Sequence, residues 1–487
     1  MKENKIKILH ILVIIISTII LSITIFNTNI WFDEAYSLGL INQSMLDLIT
    51  IAIHDVHPIL YYIILKIFSL IFGTSTIVAR AVSLIPVIIL LIFGFTHIRK
   101  EFNEKAGLLF SFFVGFLPIM VQYSTQIRMY TYSILFITLT AFYAYKIFKY
   151  GNRKYWIIFV IFSLLSAYTH YFALFVAGII NVILFMCLLK NKRNDIKKFI
   201  LCGVIQVIAY IPGLLIFIKQ TNRVMAGFWI NYTYPDILFE TIGFYFTNFI
   251  ESIVPIVFAI ILFIYIIVKL IMLYKSGDKL SILAMFGIVT FVVVVAIALL
   301  ISGVYGVKIY LPRYTLPMLG LIAFSLAYVL SKEKNIIPTI IIVISTLVLF
   351  SYNSYLYFNK CYDEENKQLT TIVREELQPT DIFIYTEMDT GGVIAMLFQD
   401  NTQYFYNIGN WSVKEAYKAF LPQLKVVTTL DDIENFKGRI WVIDKDYSDG
   451  TLNEIMKVDG IKVVKEKQSA YMPFSNIIFN MTLLEKN

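Results

Sequence analysis

Pro58-Ile59-Leu60-Tyr61-Tyr62-Ile63-Ile64-Leu65-Lys66-Ile67-Phe68-Ser69-Leu70-Ile71-Phe72 is the stretch on which the fold turns, because counting it as a membrane span reverses everything after it. It is apolar but only 15 residues long, and Gly73-Thr74-Ser75 closes it. A helix rising 1.5 Å per residue needs about 20 residues to cross a hydrocarbon layer roughly 30 Å thick. The stretch therefore suits an interfacial or re-entrant segment. Around it, longer apolar runs recur at about 8–30, 78–98, 107–122, 129–148, 199–218, 253–274, 280–302, 314–331 and 336–352. Residues 156–189 add two short spans broken near His170, which brings the expected number to eleven.

The bases test that count. With 58–72 left out, alternate ends fall on one side and carry Lys2, Lys5, Lys7; Arg99, Lys100, Lys105; Lys146, Lys149, Arg153, Lys154; and Lys190, Lys192, Arg193, Lys197, Lys198. Lys275, Lys279, Lys332 and Lys334 follow on the same side. The loop from Trp31 to His57 has no Lys or Arg, but carries Asp33, Glu34, Asp47 and Asp55. Cytoplasmic loops are enriched in Lys and Arg. The expectation is a multi-pass plasma-membrane protein with a cytoplasmic N-terminus and the first loop outside. The first helix has no small-residue cleavage site behind it and reads as uncleaved.

Composition agrees. Of 487 residues, 58% are hydrophobic and 15% charged, and the mean hydropathy is +0.74. A soluble domain carries about 25% charged residues, so one soluble core and a disordered chain are both excluded. The net charge of +8 sits mostly in the loops assigned to the cytoplasm. It therefore implies no nucleic-acid partner. Cys187, Cys202 and Cys361 show neither metal spacing nor a disulfide framework.

From about Ser354 the composition becomes that of a soluble domain. Strand-like runs lie at 381–385, 403–406, 425–428, 439–443, 462–464 and 476–479, with helical candidates at 392–398 and 413–420. The expected fold is mainly α: about eleven spans plus juxtamembrane helices over 1–353, then an extracytoplasmic α/β domain over 354–487. No internal repeat is visible, whereas a transporter built on inverted repeats often shows one.

Candidate chemistry gathers at the outer water boundary. Asp33-Glu34 follow the first helix, where partial desolvation raises carboxylate basicity and suits a general base; solvation of a helix end is the alternative. His54-Asp55-Val56-His57-Pro58 places two histidines around a carboxylate before Tyr61. Two readings stand for it: a divalent-metal or acceptor site, or a polar turn before an amphipathic helix. Arg80, Arg128, Arg223, Lys308 and Arg313 stand at external boundaries against the orientation bias. Phosphate binding and snorkelling to lipid headgroups both account for them. His170 lies at an external turn, as a polar cap or a ligand.

In this order the motifs resemble the polytopic C-type glycosyltransferases, family 39-like, which include protein O-mannosyltransferases and aminoarabinose transferases. The resemblance covers roughly residues 1–330. It rests on Asp33-Glu34, on Asp55-Val56-His57-Pro58-Ile59-Leu60-Tyr61-Tyr62, and on Ala79-Arg80-Ala81-Val82-Ser83. It continues through Gln126-Ile127-Arg128-Met129-Tyr130, Tyr168-Thr169-His170-Tyr171 and Pro312-Arg313-Tyr314. It implies transfer of a sugar from a polyprenyl-phosphate donor to a glycan, lipid or protein acceptor, with inversion. Asp33 would be the general base, with Glu34 supporting it. Arg128 and Arg313, with Arg80, would hold the donor phosphate. His54, Asp55, His57, Tyr61 and His170 would lie near the acceptor or a metal. A divalent cation is the one candidate cofactor, with Asp33 and His57 as candidate ligands. Two departures stand out: the usual His-Pro-Pro reads His57-Pro58-Ile59, and no acidic residue follows Arg128. A transporter or flippase of lipid-linked glycans is the rival class. Its ionisable residues belong near the bilayer midplane, not at one face.

Overall fold

A computed structural model describes residues 2–225, 229–247, 252–362, 373–407, 415–445, 449–471 and 478–486. The chain divides into two compact units. One comprises Met1–Ile25, Asp55–Tyr61 and Arg80–Leu356; the other comprises Phe26–His54, Tyr62–Ala79 and Tyr357–Asn487. The expected boundary at 353–354 falls inside the helix Ile336–Tyr362.

The first unit is helical. Among the described residues, nine helices are long and apolar enough to cross a membrane: Asn4–Phe26, Thr76–Glu101, Tyr130–Tyr150, Tyr171–Asn191, Arg193–Met225, Val254–Lys275, Ser281–Tyr305, Pro312–Lys332 and Ile336–Tyr362. Two further expected spans are shorter. Arg153–Thr169 has 17 residues, and Glu104–Phe116 has 13. The second stops for a visible reason. Pro118 disfavours helical geometry in the residue before it, and Leu117 is extended at φ −62°, ψ 130°. The chain resumes as one turn, Met120–Tyr123. The deciding stretch forms a 13-residue helix, Leu60–Phe72. At about 20 Å it is shorter than the hydrocarbon layer, as expected for an interfacial or re-entrant segment.

Small and hydroxylated residues bring the helices of this unit together. A Cβ on Gly115 would come within 2.6 Å of the Ser17 Cβ. Ser111 bonds His10 at 2.7 Å and donates to the Leu91 carbonyl at 2.8 Å. In lipid, where tails are as apolar as leucine, close backbone approach and such hydrogen bonds hold helices together. At the base-rich ends, acids answer the lysines. Glu101 takes Lys146 at 2.5 Å and Lys149 at 2.7 Å, and Glu333 takes Lys269 at 2.7 Å.

The second unit contains a six-stranded sheet of β1 (Ile382–Tyr385), β2 (Thr402–Tyr406), β3 (Leu424–Val427), β4 (Gly438–Lys445), β5 (Ile461–Tyr471) and β6 (Ile478–Lys486). The order is β3-β2-β1-β4-β6-β5. The first four strands run parallel, with Ile382 opposite Thr402 and Ile440. β6 is antiparallel to both β4 and β5. Ile382, Ile384, Ile440, Val442 and Leu484 share one core with Ile433 and Ile455. β1 is buried along its whole length, as a parallel strand covered on both faces is. The expected helix at 413–420 appears as a 3₁₀ turn, Glu415–Phe420, with 413 and 414 outside the described residues. Residues 476–477 of the last expected strand also lie outside them.

Part of the first loop packs within this unit. The helix Phe32–Asn42 passes so close to Ala419 that a Cβ on Gly39 would sit 2.8 Å from its carbonyl oxygen. Gln43 extends the contact, its Nε2 donating to the carbonyls of Ala419 (3.1 Å) and Leu421 (2.8 Å). Phe32 meets Tyr417 edge-on, and Tyr36 meets Phe420 likewise.

Candidate active site

The first unit gathers ionisable side chains where its helices end. Asp55 and His57 lie in the turn before Leu60–Phe72, and Asp55 Oδ2 is 3.4 Å from His57 Nδ1. A carboxylate only accepts, so a proton belongs on Nδ1 on that side. Arg128 Nη2 lies 3.4 Å from Nε2 and 3.2 Å from Nδ1. The segment Ser124–Met129 between two helices is kinked, its Arg128 amide donating to the Gln126 carbonyl at 2.6 Å. That kink leaves the Arg128 side chain buried, at 2% exposure.

Gln220 fixes the His57 backbone. Its Nε2 donates to the His57 carbonyl at 3.2 Å, and its Oε1 accepts from the Tyr171 hydroxyl at 2.5 Å. The sequence reading passed over Gln220. The available signal was an amide near the end of the apolar helix Ile196–Met225, buried to 2% exposure.

His170 caps the helix Tyr171–Asn191, its Nδ1 accepting from the Phe172 amide at 3.1 Å. Its ring faces those of His57 (6.2 Å between centroids), Tyr130 (5.9 Å) and Tyr314 (5.5 Å). Arg313 is the second residue of the 3₁₀ segment Pro312–Met318 and lies over Trp229 at 5.7 Å and Tyr314 at 5.9 Å. At those distances the ring faces attract the guanidinium.

The electrostatics favour an anion. Burial pushes the Asp55 carboxyl up, but the His57 hydrogen bond and the charges of His57 and Arg128 outweigh it and hold it below the usual carboxylate range. Burial, then the charges of His57, Arg128 and Arg313, holds His170 well below the ordinary imidazole value. The N-terminus of a helix adds partial positive charge at the same place.

The remaining candidates are distributed as follows. Arg80 is fully buried and donates to the Thr125 carbonyl at 3.3 Å. Tyr61 is also buried and bonds Ser83 at 2.9 Å. Asp33, Glu34 and His54 belong to the second unit. There Asp33 and Glu34 occupy the first turn of Phe32–Asn42, Asp33 partly exposed and Glu34 fully buried. Carboxylates at that end suit the helix dipole. Among the described residues, no three His, Cys, Asp or Glu side chains converge as a metal would require. The Asp55–His57 pair faces a guanidinium, which disfavours a second cation.

Residues 56–217 match the family described as dolichyl-phosphate-mannose-protein mannosyltransferase. His57, Tyr61, Arg80, Arg128 and His170 fall within the match; Asp33, Glu34 and Arg313 fall outside it. No curated protein matches the sequence. The fold is similar to that of ArnT from Cupriavidus metallidurans in the apo state, with a TM-score of 0.61 at 10% identity, covering 97% of each chain. It is also similar to the same enzyme bound to undecaprenyl phosphate, with a TM-score of 0.60 at 11% identity and 97% coverage of each chain. The chain thus has the fold of the polytopic C-type glycosyltransferases, and over residues 56–217 it carries the sequence pattern of the mannosyltransferase family.

Proposed function

We propose that this protein is a membrane glycosyltransferase that moves a sugar from a polyprenyl-phosphate donor to an extracytoplasmic glycan, lipid or protein acceptor. The observation that carries this reading is a buried arginine, Arg128, grouped with His57, His170 and Arg313 in a unit otherwise built of apolar helices. A phosphate at headgroup depth suits this group of cations in charge and matches the planar fork of a guanidinium. The ArnT relative, crystallised with undecaprenyl phosphate, adds weight to a lipid phosphate.

In this reaction the acceptor oxygen attacks the anomeric carbon as the carbon–oxygen bond to phosphate breaks. The electron pair leaves with the lipid phosphate, the configuration inverts, and the acceptor proton passes to Asp33, with Glu34 beside it. Arg128 and Arg313, supported by Arg80, stabilise the charge that develops on the phosphate, by the logic of an oxyanion hole. Phosphate leaves without protonation, so one base and a set of cations suffice.

The test is transfer from a labelled polyprenyl-phosphate hexose in membranes. Wild type should transfer, whereas Asp33→Asn and Arg128→Ala should each lose on the order of 10²-fold or more, as removal of a general base or a charge-stabilising donor does. Full transfer by both variants would overturn the site. Translocation of the lipid-linked sugar across vesicles without transfer would favour the transporter class instead.

A further inference from the structure

The mechanism above leaves His170 without a task. It is 2% exposed, and its two ring nitrogens are treated very differently. Nδ1 accepts the Phe172 amide at 3.1 Å and caps the helix. Nε2 is buried with no hydrogen-bond partner among the described residues. An imidazole whose Nδ1 lone pair is committed to an amide carries its proton on Nε2 when neutral. A buried donor with nothing to donate to is costly unless something else occupies that place. Three groups around the ring, His57, Arg128 and Arg313, bear positive charge or donors, and none of them offers an anionic acceptor.

We propose that His170 donates its Nε2–H to a phosphate oxygen of the polyprenyl-linked donor, as a positioning residue in the cluster with His57, Arg128 and Arg313, and is neither a metal ligand nor an acceptor-side group. The assignment rests on the reading of this cluster as the donor-phosphate site. A neutral donor here differs in kind from the arginines. It adds direction without further charge and sets the phosphate at the helix N-terminus, whose amides point the same way.

Two substitutions separate the ring's roles. Asparagine reproduces the Nδ1 position and is a favoured N-cap, but lacks the distal donor; glutamine reproduces the distal N–H and is a poor cap. Purified protein in detergent is titrated with undecaprenyl phosphate, undecaprenol, phosphatidylglycerol and inorganic phosphate, with binding read by tryptophan fluorescence and thermal stability measured in parallel. Wild type should bind undecaprenyl phosphate in preference to the other three. His170→Asn should keep its thermal stability yet bind undecaprenyl phosphate about tenfold more weakly, the loss of one hydrogen bond to a charged group. His170→Gln should melt earlier yet bind within about threefold of wild type. A purely structural histidine gives the reverse ranking, and that result overturns the proposal. So does His170→Asn binding as tightly as wild type while Arg128→Ala is weakened. No discrimination between undecaprenyl phosphate and undecaprenol in wild type overturns the phosphate site and this assignment together. The expected binding pattern without any sugar transfer supports His170 and overturns the proposed reaction alone.

Discussion

Arg128 sets its Nη2 3.2 Å from Nδ1 and 3.4 Å from Nε2 of His57, whose Nδ1 lies 3.4 Å from Asp55 Oδ2. The three side chains form a line from carboxylate through imidazole to guanidinium. Asp55 anchors the line, and its charge is stabilised by its neighbours despite the cost of burial. Asp55→Asn keeps the shape and removes the charge. Because Asp55 neighbours His57 and Arg128, which are assigned to the donor phosphate and to the charge that develops on it, the expected effect is a fall of about fivefold to tenfold in kcat/KM for the lipid-linked sugar. Steady-state transfer kinetics check it, and an unchanged kcat/KM would detach Asp55 from the work of this cluster.

Arg128 itself is asked for a planar fork as well as a charge. Arg128→Lys restores the charge on a compact ammonium that makes no bidentate contact. Its transfer rate should fall between those of wild type and Arg128→Ala. Equal rates for lysine and arginine would show that charge alone matters, and a lysine variant no better than alanine would show that geometry alone does.

Much of this was legible in the sequence, and the physical reasons differ by element. The helix Leu60–Phe72 was placed off the span count by its length and by the distribution of lysines, two features that lie in the chain itself. β1 and β4, buried along most of their length, read as short apolar runs, while β2 and β3 are legible to within a few residues from β-favouring residues, β2 alternating in burial and β3 exposed at the sheet edge. β5 was missed beyond Val464 because Lys465-Glu466-Lys467-Gln468-Ser469 is a polar edge strand, where charge blunts aggregation and carries no hydrophobic period. The apolar run at 107–122 continues past Phe116, but its helix ends there because Pro118 holds Leu117 extended. In the site, Arg128 and Arg313 stand out in the sequence as charges against the orientation bias, and His57 as one of two histidines around a carboxylate. Gln220 and the capping role of His170 do not, since both depend on a backbone partner brought in from elsewhere in the fold.

The packing of the helix Phe32–Asn42 within the second unit rests on Gly39. A Cβ there meets the Ala419 carbonyl oxygen at 2.8 Å and the Phe420 ring at 3.4 Å, and backbone cannot yield as a flexible side chain does. Gly39→Ala should therefore destabilise by about 1–3 kcal/mol, the range for overpacking, although alanine favours helix. Thermal unfolding in detergent measures this, and a rise in melting temperature would show that the helix moves away at no cost.

Orientation has its own test. The first loop and the C-terminal domain are expected outside, and the base-rich ends inside. Thr50 and Asn453 are exposed in the second unit, and Asn335 is exposed beside Lys334. Cysteines at Thr50 and Asn453 should react with a membrane-impermeant maleimide in intact cells, whereas one at Asn335 should react only after lysis. The background from Cys187 and Cys202 is subtracted using unsubstituted protein. Labelling of Asn335→Cys in intact cells would invert the topology.

Acid supplies the last prediction, because His170 refuses a proton that the unfolded chain accepts. Burial first, then His57, Arg128 and Arg313, keeps its folded value well below 6.5. The groups facing it, those three with Tyr130, Phe172 and Tyr314, include no carboxylate. Below pH 6.5 the unfolded state binds one proton more than the folded state at this site, so stability falls with falling pH. The slope approaches about 1.4 kcal/mol per pH unit until the folded value is reached. Asp55, also depressed, has the same sign but acts only as pH drops through the carboxylate range, so the difference between wild type and a His170 variant from pH 6.5 to 5 reports His170. Ligand-free wild type should therefore lose more thermal stability between pH 7.5 and 5.5 than His170→Asn, which keeps the cap and has nothing to protonate. Equal losses in the two proteins would mean that His170 takes up its proton in the folded state, and with it that Nε2–H is not held as a neutral donor.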